Sequence, residues 1–174
     1  MTFLAAVLIS LTLMFGCADT TEQRLKQVQK DLEQVLGTAL LDGDIRMQRT
    51  SDHLTVAMTE RLLFDAGSYM IKPDGIEMLK RMKALFKTSA LKKIRVAGYA
   101  DKASAADRST QYFEKLALAK ARATQTVRVL KGDGSDSQSF KTEWYVDSRP
   151  IASIETEGGR HMDRRVEIVL YAGI

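Results

Sequence analysis

The chain carries few side chains able to do chemistry, and the most conspicuous is an acid. In GYADKASAADRSTQ (98–111) an alternating apolar run ends on Asp101. A carboxylate at a strand end either starts a loop by accepting backbone N–H groups or faces a ligand and neutralises a cation. Asp65, in LLFDAG, is a second carboxylate in apolar surroundings. Two such acids raise the possibility of hydrolysis, which needs a general acid or a metal-bound water. The two histidines, His53 and His161, lie far apart with no ligand spacing around them. Neither a metal centre nor a cofactor is therefore expected. The single cysteine, Cys17, has no internal disulfide partner.

These groups need elements to hold them. At 174 residues, 45% apolar and with two prolines, the chain has material for one ordinary domain plus a short appendage. Net charge is +4. The basic residues of 80–95 and 115–131 alternate with apolar ones at helical spacing and read as solvated helix faces, so no nucleic-acid partner is expected. An anionic polymer is compatible with this balance.

Residues 1–17, MTFLAAVLISLTLMFGC, hold no charged side chain. The apolar run is shorter than the roughly 20 residues that span a bilayer, and reads as a signal peptide. With Gly16 before Cys17, it resembles a bacterial lipoprotein signal, which implies lipidation of Cys17 and removal of what precedes it. Several acyl chains would anchor the protein stably. By analogy with enterobacterial sorting, Ala18 implies the outer membrane of a Gram-negative cell, with the domain facing the periplasm. Residues 1–16 have no ionisable group to carry an ion through a membrane, which argues against a stator channel subunit.

Residues 18–50 read as a tether and a short amphipathic helix. Leu25, Val28, Leu32 and Val35 form one stripe at 3-4-3 spacing. That stripe suits packing on the chain's own domain, or a weak homodimer or envelope-complex contact through residues 22–36. Gly37 and LDGD (41–44) break the pattern. The domain proper is expected over 53–174: a strand at 53–58, a helix after Pro73 with Ile76, Leu79, Met82 and Phe86 inward, and a strand at 93–99. A long helix follows over 109–131 with Leu116, Ala119, Ala123, Val127 and Leu130 inward, then strands at 141–146 and 164–171. This order predicts an α/β (α+β) two-layer sandwich, a mixed sheet with helices on one face. Trp144 reads as a core or sheet-edge anchor.

Five segments in order, ERLLFDAGSYMIKPDG (60–75), VAGYAD (96–101), LALAKARA (116–123), SRPIA (148–152) and EGGRHMDRRVEI (157–168), resemble the peptidoglycan-binding domain of the OmpA C-terminal family. That family includes the Pal lipoproteins and the periplasmic part of MotB. The resemblance covers about residues 53–172 and implies a βαβαββ fold. It also implies non-covalent binding of peptidoglycan through the diaminopimelate of its stem peptide, in a cleft used for binding rather than catalysis.

The free end of diaminopimelate bears an ammonium and a carboxylate on one carbon, so its site needs an anion and a cation at fixed separation. By the resemblance, Asp101 takes the ammonium, and Phe64, Asp65 and Tyr99 belong to the same groove. The family's L-S-x-x-R-A pattern fits Leu118, Ala119, Arg122 and Ala123, which implies Arg122 as the carboxylate's partner. An alternative register puts Lys120 there, a point charge in place of a fork.

The chain departs from the family in several places. GHTD is GYAD, the following turn is longer and lacks glycine, and N-R-R-V is D-R-R-V. Arg164 and Arg165 read as structural ion-pairing residues. A chain that had lost the wall site would instead be an interaction subunit of an envelope, secretion or motility complex.

Overall fold

A computed structural model describes residues 21–89, 91–100, 110–132, 138–146 and 162–172. Asp101, Cys17, His161 and the segment 148–152 lie outside these residues.

The chain enters as a helix, α1 (21–36), followed by one turn, α2 (Thr38–Leu41). Two antiparallel strands come next, β1 (Ile45–Arg49) and β2 (His53–Thr59). The short α3 (Glu60–Leu63) leads into α4 (Pro73–Thr88), and β3 (Lys93–Ala100) and α5 (Thr110–Lys131) follow. β4 (Ser139–Val146) and β5 (Arg165–Tyr171) complete a five-stranded sheet in the order β1-β2-β5-β3-β4. Every pairing is antiparallel except β3 with β4, which follow one another in the chain and are joined by the crossover helix α5.

Strand alternation assigns the two faces of the sheet. Leu54, Val56 and Met58 stand in register with Leu170, Ile168 and Val166, and these with Ile94, Val96 and Gly98. All the side chains in that set are buried. At Gly98 a Cβ would collide with the backbone carbonyl of Ala119, so β3 and α5 touch only because the residue is glycine. This face is the one that the helices cover. Leu79, Met82 and Phe86 of α4 and Ala123 and Leu130 of α5 complete the same apolar cluster. α4 begins as its sequence predicts, with Pro73 in the first turn and Asp74 beside the positive end of the helix dipole.

The expected two-layer α/β sandwich is what the chain adopts, with two differences at its N-terminal side. First, β1 is an additional edge strand that the sequence pattern left in a turn-rich stretch. Its Ile45 and Met47 alternate with Arg46 and Gln48, a signal too short to stand out until β2 supplies the partner. Second, the stripe of α1 ends on Leu36, with Val35 only half-buried. Residues 25, 28, 32 and 36 keep to one side of a helix with about 3.6 residues per turn, whereas 35 drifts off it. Leu25, Val28, Leu32 and Leu36 join the domain's own core. Burying each contributes roughly 1.5–3 kcal/mol gross. The stripe is therefore not available as a dimer seam.

Candidate functional site

The site begins with a turn. Beyond α3, Phe64 and Ile71 bridge antiparallel and Lys72 N–H donates to the Leu63 carbonyl at 2.8 Å, which pinches residues 64–71 into a closed loop. Inside it the Asp65 carbonyl accepts from Ser68 N–H at 3.0 Å, and the Ser68 hydroxyl accepts from Met70 N–H at 3.0 Å. Gly67 takes φ +71°, left-handed backbone that glycine adopts without a Cβ penalty. The tip faces solvent: Asp65 is exposed, Tyr69 is 49% exposed and Met70 71%. Phe64, at the loop's root, is 1% exposed.

Arg122 reaches this loop from α5. Its Nε donates to the Ser68 carbonyl at 2.8 Å, and its Nη2 donates to Glu60 Oε1 at 2.9 Å. The guanidinium carbon lies 5.2 Å from the centre of the Phe64 ring, within cation–π range. The residue is only 4% exposed. Glu60 Oε2, on the other side of the carboxylate, is 3.0 Å from Arg164 Nε without hydrogen-bond alignment. Glu60 is further tied by its own N–H to the Arg164 carbonyl at 2.8 Å. A buried guanidinium held on one side by a carboxylate and a carbonyl, with an aromatic face beneath, is oriented rather than mobile. Such an arginine can present its remaining donors to a second planar anion.

The predicted site residues divide. Arg122 and Phe64 come together, with Asp65 next to Phe64 in the same loop but exposed, and the buried Phe64 supports the guanidinium instead of forming an open groove wall. Lys120 is exposed and points elsewhere, its Nζ 4.7 Å from the centre of the Trp144 ring on edge strand β4. Two residues along a helix turn the side chain by roughly 200°, which separates the two registers physically.

Tyr99 does not belong with the group. Because Gly98 faces α5, Tyr99 faces the other side of the sheet. There its ring stacks on Tyr145 at 5.1 Å and carries the Arg165 guanidinium at 3.9 Å. Burial, with Glu167 close by, pushes its hydroxyl pKa up to about 12. On that same face Lys141, Tyr145 and Arg95 surround Glu143 and hold its carboxyl down at about 2. Asp101 follows directly on β3 but lies outside the described residues, as does Cys17.

Sequence reasoning missed Glu60 and the Ser68 carbonyl. Their bonds to Arg122 span 62 and 54 residues, and no local pattern signals a partner that distant. Arg164 and Arg165 do form ion pairs, with Glu60 and Glu167 respectively. Among the described residues no cluster of three or more His, Cys, Asp or Glu could hold a metal, and no helix is long and apolar enough to cross a membrane.

The chain is 28% identical over 126 residues to the probable lipoprotein YiaD of Escherichia coli, an alignment covering 72% of this chain and 55% of that protein. It is 26% identical over 142 residues to the peptidoglycan-associated lipoprotein of Brucella melitensis, covering 82% and 81%. With motility protein B of Bacillus subtilis the identity is 22% over 150 residues, covering 86% and 57%. The chain thus spans just over half the length of two of these relatives. Among solved structures, the cell wall anchor of the type VI secretion system (T6SS) of Pseudomonas aeruginosa superposes with a TM-score of 0.69 at 22% identity, covering 82% of this chain and 97% of that one. That likeness is one of fold. The OmpA family model matches residues 63–164, more than half of the chain and the stretch that contains the loop at 64–71 and Arg122. The chain belongs to the OmpA family.

Proposed function

We propose that this protein binds peptidoglycan without chemistry, through the diaminopimelate of an uncrosslinked stem peptide. Arg122 receives the ligand carboxylate and Asp101 its ammonium. The observation that carries the reading is the oriented, nearly buried Arg122 inside the family-matched stretch, braced against the Phe64–Ile71 loop. In a site shielded from water a charge-assisted arginine–carboxylate bond is stronger than on an open surface. The relative named peptidoglycan-associated lipoprotein supports both halves of the proposal, wall binding and a lipid anchor on Cys17. With that anchor in the outer membrane, the domain faces the periplasm and links membrane to wall. Individually weak contacts suffice, because many anchored copies face one polymer.

The test is co-sedimentation of the detergent-solubilised chain with purified diaminopimelate-type peptidoglycan, beside Asp101→Ala, Arg122→Ala and Lys120→Ala. Wild type and Lys120→Ala should pellet, while the other two stay in solution. If folded wild type stays in solution, wall binding is wrong for this ligand. Radiolabelled palmitate entering the wild type but not Cys17→Ser checks the anchor.

One observation favours a second reading, an interaction subunit of an envelope assembly: Arg122 already has Glu60 and the Ser68 carbonyl as partners and is 4% exposed. Because the apolar stripe of α1 lies in the core, a partner would dock on its polar side, where Lys26, Lys30 and Glu33 line a groove with Arg49.

A further inference from the structure

We propose that Glu60 is the positioning residue of the anion site, and that it sets which end of Arg122 a ligand carboxylate meets. The inference rests on the wall-binding reading and deepens it. Glu60 lies outside the family-matched stretch 63–164, and its role comes from this chain's own geometry.

A guanidinium is a planar fork, so orienting it requires its plane and its rotation within that plane to be fixed. Here the Phe64 ring, 5.2 Å from the guanidinium carbon, bounds it on one side. The bond from Nε to the Ser68 carbonyl and the bond from Nη2 to Glu60, at 2.8 and 2.9 Å, anchor the planar group at two points and so set its plane and its rotation. Nη1 makes no hydrogen bond among the described residues. What remains for a ligand is the end of the fork formed by Nη1 and the second N–H of Nη2, two parallel donors matched to a carboxylate.

Glu60 is itself unable to swing away. Its backbone N–H is bonded to the Arg164 carbonyl at 2.8 Å, its side chain is 12% exposed, and Arg164 Nε stands 3.0 Å from Oε2. Without this carboxylate the guanidinium keeps the Ser68 bond as a single pivot and can rotate about it. A ligand could then still enter, but its carboxylate would no longer meet two aligned donors.

The consequence is specific. Glu60 should govern discrimination between a carboxylate and its amide more than it governs binding as a whole. The probes are the tripeptide L-alanyl-γ-D-glutamyl-meso-diaminopimelate and the same peptide with the free-end carboxylate of diaminopimelate amidated, titrated calorimetrically into the detergent-solubilised chain. Wild type is expected to prefer the acid on the order of tenfold. In Glu60→Ala the preference should fall to about twofold or less, whereas Glu60→Gln, which keeps the acceptor, should restore it. A role in stability alone would weaken both probes equally and leave their ratio unchanged. The proposal is overturned if folded Glu60→Ala keeps the wild-type ratio. Should that variant fail to fold, Glu60→Asp, whose shorter side chain withdraws the acceptor, is compared with Glu60→Gln. Equal ratios for the two would overturn the proposal equally. Wild type that binds neither probe sinks the wall-binding reading itself, and the positioning role with it. That outcome differs from wild type that discriminates while all variants do too.

Discussion

Two arginines sit almost fully buried on opposite faces of one sheet, Arg122 at 4% exposure and Arg165 at 3%. Each has a carboxylate partner and an aromatic ring: Glu60 and Phe64 for the first, Glu167 and Tyr99 for the second. They differ in the chain distance to the carboxylate partner. Arg165 bonds within its own strand neighbourhood, to Glu167 and to the Asp163 carbonyl, each two residues away. Arg122 bonds across 54 and 62 residues, joining α5 to the loop at 64–71 and to the start of α3. An ion pair closed within one strand costs little chain entropy. A guanidinium assembled from three separate elements exists only in the folded domain, as a binding site must.

The largest expected effect separates these two. Arg165→Ala should lower stability by about 3–5 kcal/mol in urea unfolding, because it takes the guanidinium from the mostly buried Glu167, and Arg122→Ala by less, because Glu60 keeps Arg164 beside it. Only Arg122→Ala should also abolish sedimentation with peptidoglycan, and loss of sedimentation in folded Arg165→Ala would break the contrast. Next in size, Gly98→Ala forces a methyl into the Ala119 carbonyl and must move α5 off β3, at about 1–3 kcal/mol. Since α5 carries Arg122, wall binding should weaken in the same variant. An unchanged melting temperature would mean that the close approach is not needed.

The third prediction concerns pH and the open face. Glu143 has its pKa depressed to about 2, so its contribution is fully present above the ordinary carboxylate value of 4.5 and fades as pH falls from there towards about 2. Glu143→Gln should therefore flatten the melting temperature's pH dependence in that window, with its full loss of about 2–4 °C above it and a difference from wild type that shrinks as pH falls towards about 2. An equally steep acid dependence in the variant would place the responsible group elsewhere. The smallest effect is expected for Tyr99→Phe. It removes a buried hydroxyl on the face away from Arg122 and should change stability by about 1 kcal/mol or less, with wall binding intact. Reduced sedimentation of that variant would return Tyr99 to the site from which the sheet's alternation removes it.

The two faces also divide what could be read in advance. Strand β3 was legible because Ile94 and Val96 alternate with Arg95 and Ala97, and α4 because Pro73, Asp74 and the Leu79–Met82–Phe86 stripe all sit within a few turns of one another. Strand β1 was not, since five residues with two apolar positions form a strand only when β2 lies beside them. The family motifs pointed to Arg122 and Phe64, whereas Glu60, the first residue of the segment 60–75, drew no role from them.

The sequence by itself determined the periodicities, the glycine at position 98, the ion-pairing character of Arg164 and Arg165 and the family. Each of these is carried by short stretches of the chain, the family by five such stretches in order. Only the tertiary structure decided that Glu60 and the Ser68 carbonyl grip Arg122, that Lys120 turns to Trp144, and that Tyr99 looks away from the site. Alternation states that Gly98 and Tyr99 face opposite sides, but which side receives a helix depends on how the crossover closes. That closure brings together groups more than fifty residues apart, and no local signal in the chain encodes it.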